Sequence, residues 1–137
     1  MIRTSTAAGT IKLGERIAAR LKPNTIIALT GELGAGKTTL IQGIAKGLGI
    51  KNYVTSPTFT IINEFKGKLP LFHMDLYRVG EADISDLGLD ECFDRGGVTV
   101  IEWAEKIKDL PEGAIKIDIR RSSENAREFM IKGLDIA

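Results

Sequence analysis

Gly31-Glu32-Leu33-Gly34-Ala35-Gly36-Lys37-Thr38 decides how the rest of the chain is read. The stretch fits Gly-x-x-x-x-Gly-Lys-[Ser/Thr], a loop whose backbone amides cradle phosphates. Its flanks suit that setting. Thr25-Ile26-Ile27-Ala28-Leu29-Thr30 is short, apolar and partly β-branched, and predicts a buried strand leading into the loop. Leu40, Ile41, Ile44, Ala45 and Leu48 recur at the spacing of one apolar helix stripe leading out of it.

The residue types follow from what a triphosphate needs. Several negative charges must exchange water for fixed donors. The backbone of Gly31, Gly34, Ala35 and Gly36 can approach closely and turn its N–H groups toward phosphate oxygens. A helix starting near Lys37 adds the positive end of its dipole. Lys37 is expected to reach the β- and γ-phosphates as a point charge. Thr38 offers a hydroxyl to Mg2+, which takes few protein ligands, and Thr39 is placed for the α-phosphate.

The 137 residues read as one domain, 1–137, with room for a core. A net charge of +1 gives no bulk attraction to nucleic acid. No window approaches the roughly 18 apolar residues of a membrane span, so no membrane partner is expected. Cys92 is the only cysteine, which excludes an internal disulfide. Residues 1–6 lack the apolar core of a signal peptide, and a cytoplasmic location is the simplest expectation.

Before the loop, Leu13, Ile17 and Leu21 predict a helix over about 10–21, with Gly14 expected to let it pack close to the sheet. After the loop helix, Gly47 and Gly49 are expected to mark its end. Phe59, Ile61 and Phe65 alternate as in a strand, and residues 69–76 read as the returning strand of a hairpin. Ser56-Pro57-Thr58 would precede that hairpin, where switch loops lie in other phosphate-loop proteins. Thr58 there reads either as a ligand to Mg2+ or the γ-phosphate, or as a plain turn residue.

Two carboxylates end predicted strands. Asp75 closes Leu71-Phe72-His73-Met74-Asp75, and Glu102 closes Val98-Thr99-Val100-Ile101-Glu102. Ligands in open α/β sheets bind outside such carboxyl ends, so both acids are expected beside Gly31–Thr38. One would hold Mg2+ or its waters, and the other would orient or deprotonate an attacking water. His73 shares strand parity with Asp75 and reads as a base, an orienting donor or a structural histidine. Trp103 reads as a core anchor or as a partner-facing aromatic, the core being the simpler expectation. Residues 82–94 predict a helix, with Cys92 as a small core residue. Ile115, Ile117 and Ile119 alternate with polar residues and pair with a second run, Arg127–Lys132, as an antiparallel hairpin at a sheet edge. Arg127 shares parity with Phe129 and Ile131, placing it for a nucleobase or phosphate, or as an ordinary edge residue.

Taken together, Gly31–Thr39, Ser56-Pro57-Thr58-Phe59-Thr60, His73-Met74-Asp75-Leu76-Tyr77-Arg78 and Ile101-Glu102-Trp103 resemble the TsaE family, formerly YjeE. Met74 stands where that pattern usually has Phe or a similar residue. The resemblance implies a bacterial ATPase needed for threonylcarbamoyladenosine in tRNA. It implies ATP and Mg2+ as ligands and a TsaB/TsaD-type heterodimer as partner, with tRNA met only through that complex. By position, it gives Lys37 and the loop backbone to the phosphates and Thr38 and Glu102 to Mg2+. Asp75 then supports nucleotide binding or hydrolysis, and Arg127 lies near the nucleoside.

The fold expected is an α/β, P-loop NTPase-like three-layer domain, a mixed sheet flanked by helices with a C-terminal β-hairpin. Two other functions fit the phosphate loop: a small-molecule kinase, and a non-catalytic module whose docking surface is gated by nucleotide. The chain has no Asn-Lys-x-Asp segment to read guanine.

Overall fold

A computed structural model of the chain describes residues 1–32, 35–51, 62–77, 91, 93–107 and 110–136. Thr25–Thr30 forms a strand whose four middle residues are buried, as its apolar run requires. This strand, β2, lies at the centre of a seven-stranded sheet of order β1-β7-β6-β2-β5-β4-β3. Here β1 is Ile2–Thr4, β3 Ile62–Phe65, β4 Leu71–Asp75, β5 Val98–Glu102, β6 Ile115–Arg121 and β7 Arg127–Lys132. Strands β6, β2, β5 and β4 are mutually parallel. Their carboxyl ends therefore share one edge, and the Gly31–Thr38 loop leaves from its middle. The outer strands β7 and β3 run antiparallel to their neighbours.

Alternation along the strands divides the sheet into two faces. Ile27, Leu29, Val98, Val100 and Ile117 face helices α1 (Ala7–Ala18) and α2 (Lys37–Gly47), where Leu13, Ile17, Leu40, Ile41 and Ile44 complete the larger core. Each fully buried aliphatic side chain here contributes roughly 1.5–3 kcal/mol. Ile26, Ala28, Phe72, Met74 and Ile101 face the other way, under Phe93, Trp103, Ala104, Ile107 and Leu110. The mixed sheet, the flanking helices and the C-terminal hairpin are thus as expected. The helix predicted for 82–94 lies outside the described residues except at 91 and 93, which are helical, and at 94, which is a turn.

Several local expectations change. Helix α1 starts at Ala7 because Thr6 caps it, its Oγ1 accepting the Gly9 N–H at 2.9 Å. Gly14 packs α1 against α2 and not against the sheet. A Cβ at Gly14 would stand 2.6 Å from the Leu40 carbonyl oxygen, and one at Gly43 2.3 Å from that of Ile11. Gly47 is the last residue of α2, as expected, and also belongs to the same contact, facing Ala18 and Glu15. Gly49 closes that end. At φ +76° it lets its own N–H reach the Lys46 carbonyl and the Ile50 N–H reach that of Ala45, both at 3.0 Å. The C-terminal hairpin is not at the edge, because β6 pairs with β2 and the unforeseen β1 covers β7.

The helix pair makes the sharpest stability test. Gly43→Ala gains helix propensity of up to about 1 kcal/mol. Its new methyl meets backbone that cannot yield, at a cost of about 1–3 kcal/mol or more. Urea unfolding should show a net loss of stability. Gly113→Ala, where nothing stands within 4 Å, should stay within about 0.5 kcal/mol of the parent.

Candidate functional site

Helix α2 has one closed end and one open end. Its C-terminus is satisfied by the turn at Gly49, but its N-cap, Gly36 at φ +109°, provides no side-chain hydrogen bond to the first turn. Few residues other than glycine take that backbone angle. The amides of the first turn therefore point toward the shared edge of the parallel strands with no side chain capping them, the arrangement that attracts anions.

Lys37 heads this helix and is only 5% exposed. Its Nζ donates to the Gly31 carbonyl at 2.7 Å and lies 4.0 Å from the centroid of the Trp103 ring. Thr38 is exposed and Thr39 half-buried in the same turn. Ala35 is buried. Gly31 presses on β6, where a Cβ would stand 2.6 Å from the Ile119 carbonyl oxygen. Arg127 crosses above Gly36, with its Nε 3.4 Å from where a Cβ would be. Its Nη1 donates to the carbonyls of Ser123, Glu124 and Ala126 at 3.2, 3.2 and 3.0 Å. Gly34 and Thr58 lie outside the described residues, as does the rest of the Ser56-Pro57-Thr58 segment.

The two strand-end acids are register partners across β4 and β5, yet they differ in environment. Asp75 is exposed and accepts the Tyr77 N–H at 3.0 Å. Glu102 is buried, and its Oε2 lies 2.7 Å from His73 Nε2, which is buried as well. His73 and Glu102 stand on the same face one step apart along paired strands, so parity alone brings them together. His73 is thus buried and paired with a carboxylate, which fits a satisfied structural histidine and an orienting donor alike. On the β6 side of the loop, Gly31, Glu32, Ala35, Asp118, Ile119, Arg120 and Arg121 border a cleft of about 580 Å3. Thr30 Oγ1 donates to Asp118 Oδ1 at 2.9 Å and ties the ends of β2 and β6 beside it.

Trp103 is the site residue that sequence reasoning missed. It is half-buried, in a left-handed conformation at φ 61°, with its ring against Lys37 and 4.9 Å from that of Tyr77. It is not simply a core anchor. Strand alternation stops at Glu102, and no periodicity announces where the next side chain turns.

The arrangement can neutralise an anion at the head of α2 and set oxygen ligands beside it. Glu102 and the Thr38 hydroxyl are hard donors suited to a divalent ion such as Mg2+. Comparisons with known proteins bear on the family and the fold. A family model described as threonylcarbamoyl adenosine biosynthesis protein TsaE matches residues 4–129. The tRNA threonylcarbamoyladenosine biosynthesis protein TsaE of Bacillus subtilis is 48% identical over 129 residues, covering 93% of this chain and 81% of that protein. Its counterpart of the same name in Treponema pallidum is 39% identical over 127 residues, covering 91% and 94%. The crystal structure of Bacillus subtilis YdiB superposes with a TM-score of 0.81 at 43% identity, covering 93% of this chain and 80% of that one. No helix among the described residues is long and apolar enough to cross a membrane.

Removing His73 leaves a buried carboxylate without this donor, which costs about 1–3 kcal/mol. His73→Ala should lose that much in urea unfolding, whereas His73→Gln, which keeps an N–H donor, should lose clearly less. Equal losses would show that the bond to Glu102 is not what matters.

Proposed function

The chain belongs to the TsaE family, and on that premise we propose that it is a Mg2+-dependent ATPase of low intrinsic turnover. It acts as an accessory subunit in tRNA threonylcarbamoyladenosine biosynthesis. The observation that carries the reading is the pairing of an uncapped α2 N-terminus, headed by buried Lys37, with a histidine-held Glu102 on the neighbouring strand end.

The amides of Gly31, Gly34, Ala35 and Gly36 bind the phosphates together with Lys37 and Thr39. Thr38 and Glu102 serve Mg2+, which supplies charge neutralisation at the phosphates when bound. His73 holds Glu102 Oε2, so Oε1 is the atom left for the ion or for a water in its shell. Asp75, exposed beside it, orients the attacking water. Arg127 and the cleft along β6 receive the nucleoside, on the side of the loop away from the acids. Thr58 acts in a switch loop.

Low turnover draws support from two arginines among the described residues. A catalytic arginine must reach the transferred phosphoryl group. Arg127 is committed to three backbone carbonyls, and Arg95 to Glu64 at 3.3 Å. A TsaB/TsaD-type heterodimer would complete the site and be reset by the ATP cycle, with tRNA reached only through that complex.

Calorimetry tests the binding. Heat with ATP should depend on Mg2+, and Lys37→Ala should weaken affinity by at least about tenfold, as loss of a charged hydrogen bond implies. Glu102→Ala should lower turnover on the order of 100-fold with a smaller effect on affinity. A well-folded sample that gives no Mg2+-dependent heat with ATP would overturn the reading, and unchanged hydrolysis in Glu102→Ala would remove the role given to that residue.

A further inference from the structure

We propose that Trp103 is the resting seat of the Lys37 ammonium, so that an entering phosphate must take the lysine from an aromatic face. The proposal deepens the nucleotide-binding reading and rests on it. Three observations carry it.

The first is the backbone. A β5 strand continued by one residue would send residue 103 to the face opposite Glu102. Trp103 packs partly on that face, yet leaves the strand at φ 61° and ψ 40°, a conformation that bulky L residues rarely adopt. Strain of this kind persists only where surrounding structure enforces it. The turn brings the indole to 4.0 Å from Lys37 Nζ.

The second is what fixes the ring. Tyr77 packs on it at 4.9 Å between centroids and 42° between planes. Lys106, three residues on, donates to the carbonyls of Leu76 and Tyr77 at 2.9 and 2.8 Å. The segment after β5 is thereby bound to the segment after β4, and the indole is held between them.

The third is the character of the partners Lys37 has. A buried cation is expected to be paired with an anion. Among the described residues its contacts are a carbonyl dipole and the negative face of a π-system. Both stabilise an ammonium, and both are weaker than a phosphate oxygen. A neutral seat holds the lysine in place without an ion pair that would have to be broken. Affinity for phosphates is reduced by whatever the seat is worth, and the seat makes Lys37 change partners when the loop fills.

Trp103 is the only tryptophan in the chain, so its emission reports the seat directly. The full chain is measured without nucleotide, exciting where tyrosine does not absorb. Lys37→Met should shift the emission from that of the parent, and Lys37→Arg, which keeps a cation over the ring, should resemble the parent. Identical emission from the parent and Lys37→Met overturns the seat. With Mg2+ and ATP, and separately with inorganic pyrophosphate, parent emission should move toward that of Lys37→Met. Trp103→Leu, checked for native circular dichroism, should bind both ligands roughly two- to thirtyfold more tightly, with Trp103→Phe between. Unchanged or weaker binding by a folded Trp103→Leu overturns the competition. If Lys37→Met shifts the emission but neither ligand gives heat or an emission change, the nucleotide reading fails and the seat itself stands.

Discussion

An ammonium group taken out of water has to be compensated, and the centre of this protein is organised around doing that for Lys37. The lysine lies at the head of a helix whose own N-terminus already carries positive potential. Nothing in that turn opposes the charge, since α2 has no acid in its first turn and no capping side chain. Compensation comes from two places among the described residues: the carbonyl of Gly31 and the ring of Trp103, with the strand ends of Asp75 and Glu102 on the same edge of the sheet. A sheet with parallel central strands is what brings these together, because parallel strands deliver their carboxyl ends to one side.

The two acids show how neighbouring register positions acquire different chemistry. Asp75 and Glu102 pair across β4 and β5, yet one is solvated and the other buried against His73. A buried carboxylate held at 2.7 Å has a defined orientation. A solvated one, anchored by a single backbone amide, is free to adjust. An ion needs the first kind of ligand and a moving water tolerates the second, which matches the division of roles proposed for Glu102 and Asp75.

Much of this was readable before any coordinates. The phosphate loop, its flanking strand and helix, the strand ends at Asp75 and Glu102 and the alternation of Ile115, Ile117 and Ile119 are all written in periods of two or 3.6. What escaped had no period. The order of strands depends on long-range pairing, so β1 over β7 was not visible in three residues, and β6 was placed at an edge when it lies inside. Gly14, Gly43 and Gly47 are individually ambiguous, and only the approach of α1 to α2 shows that all three pack there. Trp103 does pack on the core, and only its contact with Lys37 escaped, because the direction of the ring is set by one backbone angle after the strand ends. The contact of His73 with Glu102 followed parity but joins residues 29 apart, which local reading could suggest only as one option.

The glycine seam between α1 and α2 has a mechanical consequence. With backbone resting on backbone at Gly14 and Gly43, the two helices have no slack and behave as a single mount beneath the loop. Sliding α2 along its axis would drive carbonyls into α carbons, so events at Lys37 have no route through the helical layer. The opposite bank is tied more lightly beyond the backbone bond from the Leu76 N–H to the Glu102 carbonyl at 3.2 Å, where the described contacts are the Tyr77 and Trp103 rings and the Lys106 side chain. A change of partner at Lys37 is therefore felt first at that rim, through the Trp103 ring that it touches.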